Sequence, residues 1–126
     1  MKNVTTNMHF NFYKDELNLE FLRHYCINHG EVRLMRRGET FEETGKPSLY
    51  VAYVERGCFK YMVHNDDEYK DYCTGFAFEG EFVADYPNCL SGKISDVTIV
   101  AGTPCKVFQI SGKELDKLLI SLDAEG

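Results

Sequence analysis

The chain has 126 residues, which suits a single domain that buries one hydrophobic core without help from disulfides or metals. Its 20 acidic residues outnumber the 14 lysines and arginines, and the formal net charge is -6. This sign argues against direct nucleic-acid binding by the chain, because proteins that bind DNA or RNA neutralise phosphates with basic residues.

The sequence shows no targeting or membrane signal. Residues 1–7, MKNVTTN, carry no apolar run of the signal-peptide kind, and the apolar stretches elsewhere are far shorter than a bilayer span. We therefore predict a cytoplasmic protein that does not enter the membrane.

The first predicted element is a helix over residues 15–29. Apolar residues recur there at steps of three to four positions and would share one helical face: Leu17, Phe21, Leu22, Tyr25 and Cys26. Gly30 is well placed to end this helix. We assign residues 1–30 to an N-terminal helical segment.

Residues 31–110 change to the period of two that β-strands show. Val32 and Leu34 alternate with Glu31 and Arg33, and later runs are rich in aromatic and β-branched residues. The other predicted strands cover residues 49–54, 59–63, 71–78, 96–100 and 106–110. Turn-forming segments separate several of them, at residues 46–48, 55–57 and 64–67. Short strands with this spacing are typical of antiparallel hairpins in a sandwich or barrel.

The last predicted element is a helix over residues 111–122. Ser111 followed by Glu114 has the spacing of a capping box. Four leucines share one face of this helix: Leu115, Leu118, Leu119 and Leu122. Such a face packs either on the barrel or on a second copy of the chain. Together the elements predict a mainly β fold, a double-stranded β-helix or jelly-roll barrel with flanking helices.

The sequence indicates neither a metal site nor a catalytic site. The five cysteines form no pair with the spacing of metal ligands: Cys26, Cys58, Cys73, Cys89 and Cys105. We predict that most of them are reduced thiols, and that His24 and His29, five positions apart, bind no metal. The acidic pair Glu42 and Glu43 adjoins turn residues, so we interpret it as solvated loop charge. We expect the protein not to be an enzyme.

Four motifs follow one another along the chain. Residues 36–41 read RRGETF, residues 54–60 read VERGCFK, residues 78–83 read FEGEFV and residues 108–111 read FQIS. In this order they resemble the cyclic-nucleotide-binding domain of Crp/Fnr-type bacterial transcription regulators. The resemblance covers roughly residues 31–122 and implies an effector-sensing domain with a jelly-roll fold.

The third motif opens a segment that resembles the family's phosphate-binding cassette, with Gly80, Phe82 and Val83 in matching positions. A strand that ends in a small residue before a short helix points free backbone N–H groups into a concave space, which attracts an anion. If the pocket holds an anion, we predict contacts from the backbone amides of Val83, Ala84 and Asp85.

The cassette departs from the family pattern at three positions. Ala84 stands at the glycine, Asp85 at the glutamate that binds the ribose hydroxyl, and Ser95 at the phosphate-binding arginine. A serine cannot replace a guanidinium, because burying a phosphate without a cation carries a large desolvation penalty. Lys93 is the nearby cation that could assist, and Asp96 would add repulsion. A cyclic nucleotide therefore fits poorly, and we expect no cofactor.

Two functions remain open. The first is the effector domain of a Crp/Fnr-type regulator with an unknown small-molecule ligand, able to form a homodimer through its C-terminal helix. The helix-turn-helix that binds DNA in such regulators does not occur in these residues. The second is a stand-alone β-barrel that binds a small molecule or a protein and has no link to transcription.

Overall fold

The computed structural model describes residues 16–125, with side-chain surroundings for residues 19–122. The predicted helical segment before residue 16 and the side chain of Leu17 lie outside the described part. The elements are α1 (Glu16–His29), β1 (Glu31–Met35), β2 (Thr40–Glu42), β3 (Tyr50–Arg56), β4 (Phe59–Asn65), β5 (Lys70–Ala77), β6 (Phe82–Val83), α2 (Asn88–Ser91), β7 (Thr98–Ala101), β8 (Cys105–Ser111) and α3 (Gly112–Glu125).

The strands form two four-stranded sheets, in the orders β1-β8-β3-β6 and β2-β7-β4-β5. Neighbouring strands pair antiparallel throughout both sheets. The inward side chains of the two sheets meet in one core, whose largest fully buried members are Tyr61, Phe59 and Ile99. This arrangement confirms the predicted mainly β jelly-roll architecture.

The helices α1 and α3 cover the outer face of the first sheet, where both contact β3 and β8. Leu22, Cys26 and Leu115 are fully buried in this second apolar cluster, and Leu118 and Leu119 pack against it. The predicted helical faces therefore pack on the barrel. Phe21 is the exception, with 44% of its surface exposed at the edge of the stripe. Among the described residues, no helix combines the length and apolarity needed to cross a bilayer.

The ends of the helices follow the predicted signals with one change. Gly30 ends α1, and its N–H donates to the Cys26 carbonyl at 2.8 Å. At the start of α3 the Glu114 N–H donates to the Ser111 hydroxyl at 3.1 Å, as a capping box requires. The Glu114 carboxylate, however, accepts a hydrogen bond from the Tyr25 hydroxyl, so α3 is tied to α1.

Strand β1 has two of its three apolar residues on the outer side. Val32 is 53% exposed and Leu34 is 71% exposed, whereas Met35 is buried. The inward position between them holds Arg33, which donates to Gln109 at 3.2 Å and lies over the Phe41 ring at 5.7 Å. The alternation thus predicts the strand, but these partners allow an arginine to take the inner side.

None of the five cysteines is bonded to another. Burial raises the pKa of the Cys26 and Cys89 thiols to about 12, so both stay protonated and unreactive at neutral pH. Within the described part of the chain, no three His, Cys, Asp or Glu side chains are arranged to hold a metal ion.

Candidate functional site

The cassette begins at the turn before β6. Gly80 has a φ of 88° in this turn, a conformation that favours glycine, and its N–H donates to the Val54 carbonyl at 2.9 Å. Phe82 then points outward into the helix-covered cluster, edge-on to Tyr53 with 5.7 Å between ring centroids. Val83 points into the barrel core and is fully buried. The turn at Gly80 and the buried side chains of Phe82 and Val83 fix the position of the chain where it enters the site.

The backbone of Ala84 is bonded to a tyrosine from the opposite sheet. The Ala84 N–H donates to the Tyr61 hydroxyl at 3.1 Å, and that hydroxyl donates to the Ala84 carbonyl at 3.3 Å. Both residues are buried, with 1% and 2% of their surfaces exposed. Burial also raises the pKa of Tyr61 well above its ordinary value, so the hydroxyl remains protonated. One of the three amides predicted to meet an anion, that of Ala84, therefore already has an internal partner.

Asp85 and Ser95 are ten residues apart in the chain and in direct contact in the fold. The Ser95 hydroxyl lies 2.8 Å from Asp85 Oδ2, which also accepts from the Asn88 side-chain amide at 3.1 Å. Ser95 is held by its backbone, since its N–H donates to the Lys46 carbonyl at 2.9 Å. Asp85 is 7% exposed and Ser95 is 1% exposed.

Two backbone N–H groups of the short helix α2 already have partners. The Cys89 N–H donates to the Asp85 carbonyl at 2.9 Å, and the Leu90 N–H donates to the Pro87 carbonyl at 3.0 Å. Gly92 ends the helix in a left-handed conformation with a φ of 70°. This turn then leads back toward Ser95.

A second buried carboxylate joins the site, and its position contradicts the sequence interpretation. Glu42 was predicted to be solvated loop charge, yet only 5% of its surface is exposed. The pairing of β2 with β7 shifts register between Thr40 and Glu42, so that both Phe41 and Glu42 are buried. Such a bulge leaves no mark in the sequence, which explains why the pattern failed to predict the position.

Glu42 is incompletely paired in its buried position. Its Oε1 accepts from the Ser48 hydroxyl at 3.3 Å, whereas Oε2 has no hydrogen-bond partner among the described residues. Burial, and then the nearby charge of Asp85, raise the pKa of Glu42 from 4.5 to about 7. The hydroxyls of Ser48 and Ser95 act in the opposite direction by stabilising the charged form.

The two charged residues predicted to influence an anion are at the surface. Lys93 is exposed, and its backbone carbonyl accepts from the Ser48 N–H at 2.8 Å. Asp96 is also exposed. The structure therefore brings together Ala84, Asp85 and Ser95 from the predicted set and adds Glu42 and Tyr61, which sequence reasoning missed.

Chemically, this site is acidic and rich in hydrogen-bond acceptors. A phosphate placed here would meet two buried carboxylates and an amide that is already bonded. A proton or another positive group fits the charge of the site better.

Comparison with solved structures identifies the fold. The structure superposes on the c-di-GMP-responsive global regulator CLP of Xanthomonas campestris with a TM-score of 0.67 and 23% identity, over 88% of this chain and 53% of that one. It also matches the N-terminal domain of a transcriptional regulator from Streptomyces coelicolor A3(2), with a TM-score of 0.63 and 17% identity, over 86% of this chain and 72% of that one.

A third similar structure is a transcriptional regulator from Thermotoga maritima, with a TM-score of 0.63 and 20% identity, over 79% of this chain and 76% of that one. Neither family models nor curated proteins give a match. The chain spans about half the length of the Xanthomonas regulator. The chain shares the fold of these transcriptional regulators, as its motifs predict.

Proposed function

We propose that the chain is the effector domain of a Crp/Fnr-type transcriptional regulator whose cassette is closed to cyclic nucleotides. The observation that carries the proposal is the pair of hydrogen bonds between Tyr61 and the Ala84 backbone. A phosphate can use the Ala84 amide only after the tyrosine hydroxyl has left, and moving this hydroxyl disturbs the packing of Tyr61, which is fully buried.

The charge of the site supports the same proposal. Asp85 and Glu42 are both buried, and the cassette lysine, Lys93, is exposed. Bringing a phosphate against buried carboxylates adds repulsion to the desolvation of the anion itself. The domain then acts as a regulatory module that responds to something other than a cyclic nucleotide.

We expect α3 to transmit conformational changes of the domain to the rest of the regulator. The leucine face of α3 packs on the barrel and α2 contacts α3, so a change in the cassette reaches this helix directly. We further propose a cytoplasmic, non-enzymatic protein that forms a homodimer through the exposed side of α3 and does not itself bind nucleic acid or membrane.

Calorimetric titration of the purified chain with cyclic AMP and with cyclic GMP tests the closed cassette. We expect no saturable heat up to about 1 mM ligand, which places any affinity below about 4 kcal/mol. Ser95→Arg is also expected to show no saturable binding heat, because its guanidinium would pair with the adjacent Asp85 and would not bind a phosphate.

A cyclic-nucleotide-binding domain of known affinity serves as the positive control for this titration. Saturable one-to-one binding by the wild-type chain would contradict the closed cassette. Binding gained by Ser95→Arg would contradict it as well, since a single arginine would then be enough to open the site.

The homodimer is tested at Ile120, which is 62% exposed on α3. We expect Ile120→Glu to raise the dimer dissociation constant at least about tenfold, because it places a charge in a buried apolar contact. Sedimentation equilibrium measures this constant. Val32→Glu is the matched control, since Val32 is 53% exposed on a different element, β1, and should leave the constant unchanged. A chain that is monomeric at all concentrations, or a control that dissociates equally, would contradict the proposal.

A second candidate function is a stand-alone interaction or small-molecule-binding barrel with no link to transcription. It is favoured by the packing of the α3 leucines on the barrel, which leaves the domain complete without a partner helix. The reading frame of the native gene beyond codon 126 separates the two. A helix-turn-helix pattern there supports the regulator, and a stop codon supports the stand-alone barrel.

A further inference from the structure

Two buried carboxylates, Glu42 and Asp85, belong to this site. Glu42 lies on β2 and Asp85 follows β6, and both are more than nine-tenths buried. The Ser95 hydroxyl bonds to Asp85 at 2.8 Å and also stabilises the charged form of Glu42. The two side chains are close enough for the charge of Asp85 to act on Glu42.

The cluster contains more hydrogen-bond acceptors than hydrogen atoms that can be donated to them. Ser95 carries one hydroxyl hydrogen, yet its oxygen lies 2.8 Å from Asp85 Oδ2 and 2.9 Å from the Val97 carbonyl. Only one of these acceptors can be served at a time. Glu42 Oε2 has no donor among the described residues. One further hydrogen on a carboxyl group would supply the missing donor.

The groups around the pair do not neutralise it. Tyr61 on β4 and Cys89 on α2 face it, and both stay protonated because burial raises their pKa values. Lys46 is exposed and pairs with Glu43 at 3.3 Å, and Lys93 is exposed.

Strands β1 and β7, which lie near β2, add no compensating charge to the pair. On β1 the Arg33 guanidinium is engaged with Phe41 and Gln109. Strand β7, which pairs with β2, reads TIVA and contains no titratable side chain.

We propose that Glu42, buried beside the charge of Asp85, binds an exchangeable proton, and that this proton acts as the effector of the cassette. The second part rests on the proposed regulatory function, whereas the proton site stands on the buried cluster alone. Near neutral pH the Glu42 carboxyl gains and loses this proton, because burial raises its pKa to about 7.

The structure provides a route from this pair to α3. The Asp85 carbonyl accepts from the first turn of α2, through the Cys89 N–H. The Cys89 carbonyl in turn packs so closely on Gly112 that a β-carbon there would lie 1.6 Å from it. Loss of the proton leaves two like charges in a buried site, and moving Asp85 with α2 relieves their repulsion. Any such movement displaces Gly112 at the start of α3.

NMR titration of the side-chain carboxyl carbon of Glu42 tests the proton site directly. We expect a midpoint near 7 in place of the ordinary 4.5, with the Gly112 amide signal shifting over the same pH range. Glu42→Gln should remove both transitions. Glu43→Gln is the matched control, because Glu43 is the exposed neighbour of the same residue type and should change neither.

Thermal unfolding provides a second readout. The pKa of folded Glu42 lies above its ordinary value, so the folded state binds more protons between pH 4.5 and about 7 and loses stability as pH rises through that window. The thermal unfolding midpoint of Glu42→Gln should therefore rise relative to that of the wild type across this range. At pH 8 it should exceed the wild-type midpoint by about 5 °C. At pH 4 the unfolding midpoints of the wild type and of Glu42→Gln should differ little.

Three results would overturn the proposal. A Glu42 midpoint close to 4.5 would remove the proton site, and a midpoint near 7 with an unresponsive Gly112 amide would remove the effector role. A Glu42 titration displaced by millimolar calcium or magnesium would identify a metal site instead. None of these depends on nucleotide binding, which is measured at fixed pH, so failure of the proton site and failure of the closed cassette are distinguishable.

Discussion

Replacing Gly112 with alanine is expected to lower the free energy of unfolding by about 2–4 kcal/mol. An added β-carbon would lie 1.6 Å from the Cys89 carbonyl oxygen and 2.5 Å from its carbon, far inside van der Waals contact. Both atoms belong to the backbone, so no side-chain rotation can make room. The Gly112 N–H is also fixed by a 2.7 Å hydrogen bond to the Leu49 carbonyl, which prevents a simple retreat of α3.

Gly102→Ala is the control for this substitution. A β-carbon at Gly102 would meet its nearest neighbour, Cys58 Sγ, at 3.4 Å, which is an ordinary contact. We expect a change within about 0.5 kcal/mol for this variant. Urea unfolding of the two variants and the wild type gives the comparison. Equal losses at the two glycines would show that α2 does not pack against α3 as closely as the structure has it.

The order of elements could be predicted from the sequence because the signals for them are local. Alternation marks the strands, and Gly30 and Ser111 mark where helices end and begin. The motifs also placed Asp85 and Ser95 in one site, where they are hydrogen-bonded. That both belong to one site could be predicted because they lie in one continuous segment of the chain, whereas the hydrogen bond between them was not predicted.

The partners of that site could not be predicted, because they depend on contacts between distant parts of the chain. Tyr61 occupies an ordinary inward position of β4, and nothing near it in the sequence indicates that its hydroxyl reaches Ala84, 23 residues later. Glu42 is buried because β2 shifts register against β7, a pairing across more than 50 residues. Propensity and periodicity contain no information about either contact.

The Tyr61 contact leads to the second large effect, in which Tyr61→Phe is expected to lower the free energy of unfolding by about 1–3 kcal/mol. Phenylalanine keeps the ring that fills the barrel core, so the change removes one hydroxyl and little packing. That hydroxyl serves both the N–H and the carbonyl of Ala84, and both groups are buried. Their loss of a partner carries the full desolvation penalty of two backbone groups.

Tyr72→Phe separates this effect from the loss of any tyrosine hydroxyl. Tyr72 also donates a hydrogen bond, to Glu68, but it is 40% exposed and water can replace it. We expect a change within about 0.5 kcal/mol there, measured by urea unfolding alongside Tyr61→Phe. Equal effects of the two substitutions would contradict the internal bond to Ala84.

Hydrogen exchange at the Ala84 amide connects this stability to the closed cassette. In Tyr61→Phe the amide loses its acceptor, so we expect it to exchange at least about tenfold faster than in the wild type, with smaller changes at core strand amides. The freed N–H is the group that a phosphate would need, yet Glu42 and Asp85 remain buried beside it. Tyr61→Phe should therefore expose the cassette amide without gaining affinity for a cyclic nucleotide, because the charge of the site and not the tyrosine alone excludes the anion.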